Sequence, residues 1–149
     1  VAASGVTSEV AHKEFLPDLK THQFDAAVLS LGVNDVTRFT SDLDWEKYQL
    51  SIWKKLLDEQ RISKLLITPV PPMHKFSALP RKLATLFGER ASALNALLKA
   101  FSEQFDDSVT LLDFDVPTDI DMLAKDGFHP SAKTYKLWAK VASQHLLPK

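Results

Sequence analysis

An aspartate and a histidine stand three positions apart in Asp126-Gly127-Phe128-His129-Pro130-Ser131. Gly127 permits a tight bend, Pro130 keeps a helix from running through His129, and Ser131 can cap a helix beyond it. A carboxylate and an imidazole held on one turn suit general acid–base work. The carboxylate orients the ring, and the ring takes a proton from a nucleophile. Asn34 lies past an apolar run and a glycine, where its amide can donate to an oxyanion; the alternative is a left-handed turn residue. The backbone N–H of Gly5 offers a second donor at a position where a substrate can come close, although a plain turn would also use glycine there. These are the parts of an acyl-transfer site without its attacking hydroxyl. Ser4 adjoins the Gly5 donor instead of ending a strand, and Ser30 reads as strand core. Asp35 reads as a brace or cap for the loop that holds Asn34.

Several elements must position these residues. Ser8 is placed to cap a helix over about 9–16, ended by Pro17. Ala26-Ala27-Val28-Leu29-Ser30-Leu31 reads as a strand buried on both faces, as in a parallel sheet. A polar loop follows, then a helix over about 45–60 with Trp45, Tyr48, Ile52, Trp53, Leu56 and Leu57 at helical spacing. Residues 65–70 form a second strand, stopped by Pro71-Pro72, and an irregular loop at 73–80 could overhang a site. Leu94, Leu97, Leu98, Phe101 and Phe105 mark a helix over about 81–105, interrupted near Gly88. Residues 109–113 make a third strand, and the last helix, about 132–147, buries Trp138, Val141, Ala142 and Leu146. Strand and helix alternate, which implies a parallel sheet with helices on both faces. In such sheets working residues lie in loops at the carboxyl ends of strands, where Gly5, Asn34 and the 126–129 turn all fall.

The 149 residues are the size of one domain, 1–149, with 45% apolar and 25% charged side chains. Eighteen basic and nineteen acidic residues are intermixed for a net charge of −1, which supplies no electrostatic reason for a nucleic-acid or anionic-membrane partner. With no cysteine, disulfides, thiolate metal sites and a cysteine nucleophile are excluded, but no compartment is selected. No apolar run approaches the ~20 residues of a membrane span, and no signal peptide is visible. The first residue is Val1, and the chain reads as one that starts partway into a protein.

The same residues resemble the SGNH hydrolases, also called GDSL-type esterases and lipases. Gly32-Val33-Asn34-Asp35 is similar to that family's G-x-N-D block. Asp126-Gly127-Phe128-His129-Pro130 resembles its D-x-x-H-P block, and Ala3-Ser4-Gly5 the block whose glycine N–H lines the oxyanion hole. Spacer segments resemble bacterial members too: Pro71-Pro72-Met73 with Leu79-Pro80, Arg90-Ala91 with Leu94-Asn95, and Tyr135 with Trp138-Ala139. The resemblance covers essentially the whole chain. It implies a flavodoxin-like three-layer α/β/α fold, ester hydrolysis through an acyl-serine, a small-molecule ester substrate, and no metal or cofactor. His129 would be base and then acid, Asp126 its orienter, and Asn34 and Gly5 the oxyanion donors.

One departure is large. The family's serine lies in a Gly-Asp-Ser block on a first strand, and no Gly-Asp-Ser occurs here. The expectation is that this strand and its serine belong to a preceding segment or another chain, and that residues 1–149 alone are inactive. A smaller departure is Thr134, where many relatives have glycine. The competing function is a non-catalytic flavodoxin-like binding or interaction module. Such a module would hold an anion on the amides of the Gly5-Val6-Thr7-Ser8 helix start, with Asp126 and His129 pointing apart. Asp119 and Asp121 with Asp126 could also suggest a divalent cation, against the plainer reading of solvated loop acids.

Overall fold

The computed structural model describes residues 3–21, 23–114 and 121–146. The three apolar runs become parallel strands β1 (Ala26–Leu29), β2 (Lys64–Ile67) and β3 (Val109–Leu111), side by side in that order. Ala26 stands opposite Lys64 and Leu29 opposite Ile67, while Leu65 and Ile67 pair with Val109 and Leu111. Successive strand side chains point to opposite faces. Leu65 and Ile67 accordingly enter one core with Trp45, Trp53, Leu94 and Phe101, whereas Leu66 joins Leu112 and Ala142 in another. The first core is closed by α3 (Asp42–Lys54) and α4 (Arg81–Ser102), the second by α5 (Ala132–Leu146). A parallel sheet covered by helices on both faces is the expected three-layer α/β/α arrangement.

β1 departs from expectation. It is four residues long, Val28 is 37% exposed and Ser30 is exposed, so neither belongs to a strand buried on both faces. The cause is topological: in the described sheet β1 pairs with β2 alone, and its other edge is open.

Local chemistry moves several helix boundaries. The first helix, α1 (Ser8–Val10), is capped by Thr7, whose Oγ1 accepts from the Val10 N–H at 3.3 Å, and not by Ser8. It continues as a π-helical turn, Ala11–Phe15, and a 3-10 turn, Pro17–Thr21. α3 begins earlier than expected because Ser41 accepts from the Asp44 N–H at 3.1 Å, with Asp42 and Asp44 at its positive end. It ends in a π-helical turn, Lys55–Glu59.

α4 runs unbroken through Gly88. A Cβ there would stand 2.6 Å from the His74 Cβ, so the glycine lets the 3-10 turn Met73–Lys75 pack directly on the helix. A helical glycine costs about 1 kcal/mol in propensity, and here it makes room for that contact. In α5, Ala142 is buried and Trp138 and Val141 are partly buried, but Leu146 in the final turn is 42% exposed, contrary to expectation.

Candidate active site

Gly32 turns the chain out of β1 with φ 124°, and a Cβ on it would collide with the Val70 side chain, so only glycine fits. The residues after it form a helix, α2 (Val33–Thr37), where a polar loop was expected. Asn34 is therefore helical and not a left-handed turn residue. Its Nδ2 donates to the Val6 carbonyl at 3.0 Å. One of the two amide N–H groups thus fixes the orientation of the side chain, and the second remains as a donor.

The neighbouring Asp35 points inward and is fully buried. Its carboxylate accepts from the Ser8 N–H at 3.1 Å to each oxygen and from the Ser8 hydroxyl at 3.0 Å. Ser8 Oγ in turn accepts from Gln49 Nε2 at 2.8 Å, and Gln49 Oε1 accepts from Trp53 Nε1 at 3.1 Å. Burial pushes the Asp35 carboxyl up from its ordinary range, and the hydrogen bonds from Ser8 and Thr40 work against that rise. Gly5 has φ 74°, and the Arg38 guanidinium lies 3.5 Å from where its Cβ would be. α2 and the Gly5–Ser8 loop therefore form one unit. Sequence reasoning missed Gln49, and it read Ser8 as a cap and Trp53 as core without the network that joins them to Asp35; the available signal was a glutamine midway between Trp45 and Trp53 on an otherwise apolar helix face.

The turn that carries Asp126 and His129 is built locally. Asp126 Oδ1 accepts from the backbone N–H groups of Phe128 and His129, each at 3.0 Å, and Oδ2 meets His129 Nδ1 at 2.6 Å. The His129 side-chain bond, followed by those two backbone bonds, lowers the Asp126 carboxyl from 3.8 to about 2. An ionised carboxylate only accepts, so Nδ1 carries a proton, and in the neutral ring Nε2 presents its lone pair. The side chains of His129 and Asp126 are 63% and 51% exposed.

The turn is closed by Gly127 N–H to the Ala124 carbonyl at 2.9 Å and Ala124 N–H to the His129 carbonyl at 2.7 Å. Gly127 has φ 66°, and its Cβ would stand 2.6 Å from Ser77 Oγ. The 73–80 loop is pressed against the turn there, and Phe76 meets Phe128 edge to face with centroids 5.3 Å apart. Ser131 caps α5 through Thr134 N–H at 3.4 Å, and Thr134 Oγ1 donates to the Met122 carbonyl, a bond that glycine could not make.

A groove of about 470 Å³ follows the open edge of β1. Val6, Asn34, Val28, Ser30 and Trp138 are among its walls, so the first loop, α2 and the helix opened by the acid–base turn all border it. Trp138 is tied to the sheet by donating from Nε1 to Thr68 Oγ1 at 3.0 Å. Met73 and Phe76 are core residues, not free walls of a pocket. Asp121 is engaged by Lys133 at 2.6 Å, and Asp119 lies outside the described residues. The amide of Ser8, assigned to an anion in the binding-module reading, is already taken by the Asp35 carboxylate, and Asp126 and His129 are in contact.

The GDSL-like lipase/acylhydrolase family matches residues 1–137. The chain belongs to that family. Solved structures of the same fold include a carbohydrate esterase family 3 from Talaromyces cellulolyticus, with TM-score 0.72 and 17% identity over 96% of this chain and 67% of that one. A lipolytic protein of the G-D-S-L family from Desulfitobacterium hafniense gives TM-score 0.75 and 14% identity over 95% and 76%. A GDSL-like lipase from Bacteroides thetaiotaomicron gives 0.68 and 21% over 95% and 71%. Among curated proteins no sequence matches the chain. Among the described residues of this GDSL-like chain, no helix is long and apolar enough to cross a membrane.

Proposed function

We propose that this domain carries the acid–base pair and the oxyanion donors of a serine hydrolase that cleaves small-molecule carboxylic esters. The 2.6 Å contact between His129 Nδ1 and the Asp126 carboxylate supports this reading most strongly, because it fixes the tautomer that leaves Nε2 as a base. In the proposed cycle a serine Oγ attacks the ester carbonyl carbon while Nε2 takes the hydroxyl proton. The negative charge developing on the carbonyl oxygen is met by the free N–H of Asn34 and by the Gly5 N–H. Nε2 then returns the proton to the leaving alcohol as the C–O bond breaks. Water hydrolyses the acyl-serine by the same route, with Asp126 ionised throughout.

The serine is assigned to a Gly-Asp-Ser segment outside residues 1–149, either upstream or on another chain. Support comes from the edge of β1 that is open among the described residues, whose groove has Asn34 in its wall: a strand laid parallel there would pair with that edge and bring its carboxyl end toward Asn34. Residues 1–149 alone are then expected to turn over no ester. For the intact protein, His129→Ala should lower the hydrolysis of nitrophenyl acetate by ~10³-fold or more. An unchanged rate refutes the assignment.

A further inference from the structure

α2 is a helix of five residues, too short to hold itself in place, so its position must come from tertiary contacts. Two adjacent residues on it grip the Gly5–Ser8 loop: Asn34 through the Val6 carbonyl, and Asp35 through both donors of Ser8. The Asp35 bonds close 27 residues of chain, and through Gln49 and Trp53 they are anchored to α3 in the core. Among the described residues no cation pairs with this buried carboxylate. Burying an unpaired charge is costly, and the cost is met here by both donors of Ser8, with Thr40 adding to them.

We infer that Asp35 is a positioning residue whose buried carboxylate locks the Gly5–Ser8 loop to α2, holding the Gly5 and Asn34 donors at a fixed separation. This inference rests on the hydrolase reading for its catalytic consequence, but the clamp itself is a property of the chain. The Asp35→Asn amide keeps the shape but turns an NH₂ toward donors. A clamp predicts backbone hydrogen exchange at residues 5–8 faster by about tenfold or more. In the intact protein kcat should fall by ~10–10²-fold with KM changed less than about threefold, because misplaced donors act on the transition state. Ser8→Ala should show a smaller loss, and the double variant should be non-additive.

If Asp35→Asn does not fold, Ser8→Ala carries the same comparison, since it keeps the backbone N–H bond. Unchanged exchange at residues 5–8 overturns the inference. So does a lowered melting temperature with kcat unchanged in the folded fraction. A wild-type protein that hydrolyses no ester defeats the hydrolase reading instead, and the exchange comparison then decides the clamp.

Discussion

Asp35 and Asp126 carry the same carboxylate, yet the chain treats them in opposite ways. Asp35 is sealed in the core, its carboxyl pushed up by burial, with Ser8, Gln49 and Trp53 queued behind it. Asp126 is half exposed and held down at about 2 by His129 and two backbone amides of its own turn. The two arrangements suit two tasks. In the proposed mechanism the oxyanion donors must be rigid before the substrate arrives, and a buried long-range network would supply that rigidity. The proton carrier of that proposal must reach solvent and substrate, and His129 takes its orientation from bonds within four residues.

This contrast can be broken from either side, and the largest effect is expected at the exposed turn. Asp126→Asn should cost the intact protein ~10³–10⁴-fold in kcat, through the wrong tautomer, with only a small loss of thermal stability because the pair is half exposed. Asp35→Ala should show the reverse balance: it leaves the Ser8 donors buried without an acceptor, and a urea midpoint should record a loss of about 1–3 kcal/mol. Gly127→Ala should cost about 1–2 kcal/mol in unfolding experiments, because φ 66° disfavours a side chain and Ser77 Oγ occupies the space. Its kcat should fall as well, since the 73–80 loop must move away from the acid–base turn.

The smallest effect is a titration. The carboxyl of Asp126, followed by NMR, should have its midpoint near 2 in place of 3.8, and His129→Ala should return it toward 3.8. Because the folded value is the lower one, the stabilising contribution is complete above the ordinary value and is lost as pH falls through about 2.

The two regions also differ in how far the sequence discloses them. The acid–base turn is written in consecutive letters: an acid, a glycine, a histidine, a proline and a capping serine make their bonds to one another, so its geometry follows from local rules. The strands and α4 are legible for the same reason, through apolar runs and periodicity. α2 was hidden because five residues carry no period, and what holds them is Ser8, 27 residues away. The type of Ser8 suits a cap, but Thr7 does the capping and Ser8 is spent on Asp35. The exposure of Val28 and Ser30 follows from having no strand beyond β1 in the described sheet, a fact of topology that an apolar run cannot announce.

The central claim is that the Gly5 and Asn34 donors and the His129–Asp126 pair serve one acyl-serine. Rapid mixing of the intact protein with nitrophenyl acetate, quenching in acid and mapping of the acetyl group by peptide mass spectrometry tests it directly. One acetyl group is expected on the serine of a Gly-Asp-Ser segment, absent in His129→Ala. Acetylation of Ser4 or Ser30, or labelling of any serine at an undiminished rate without His129, would contradict it.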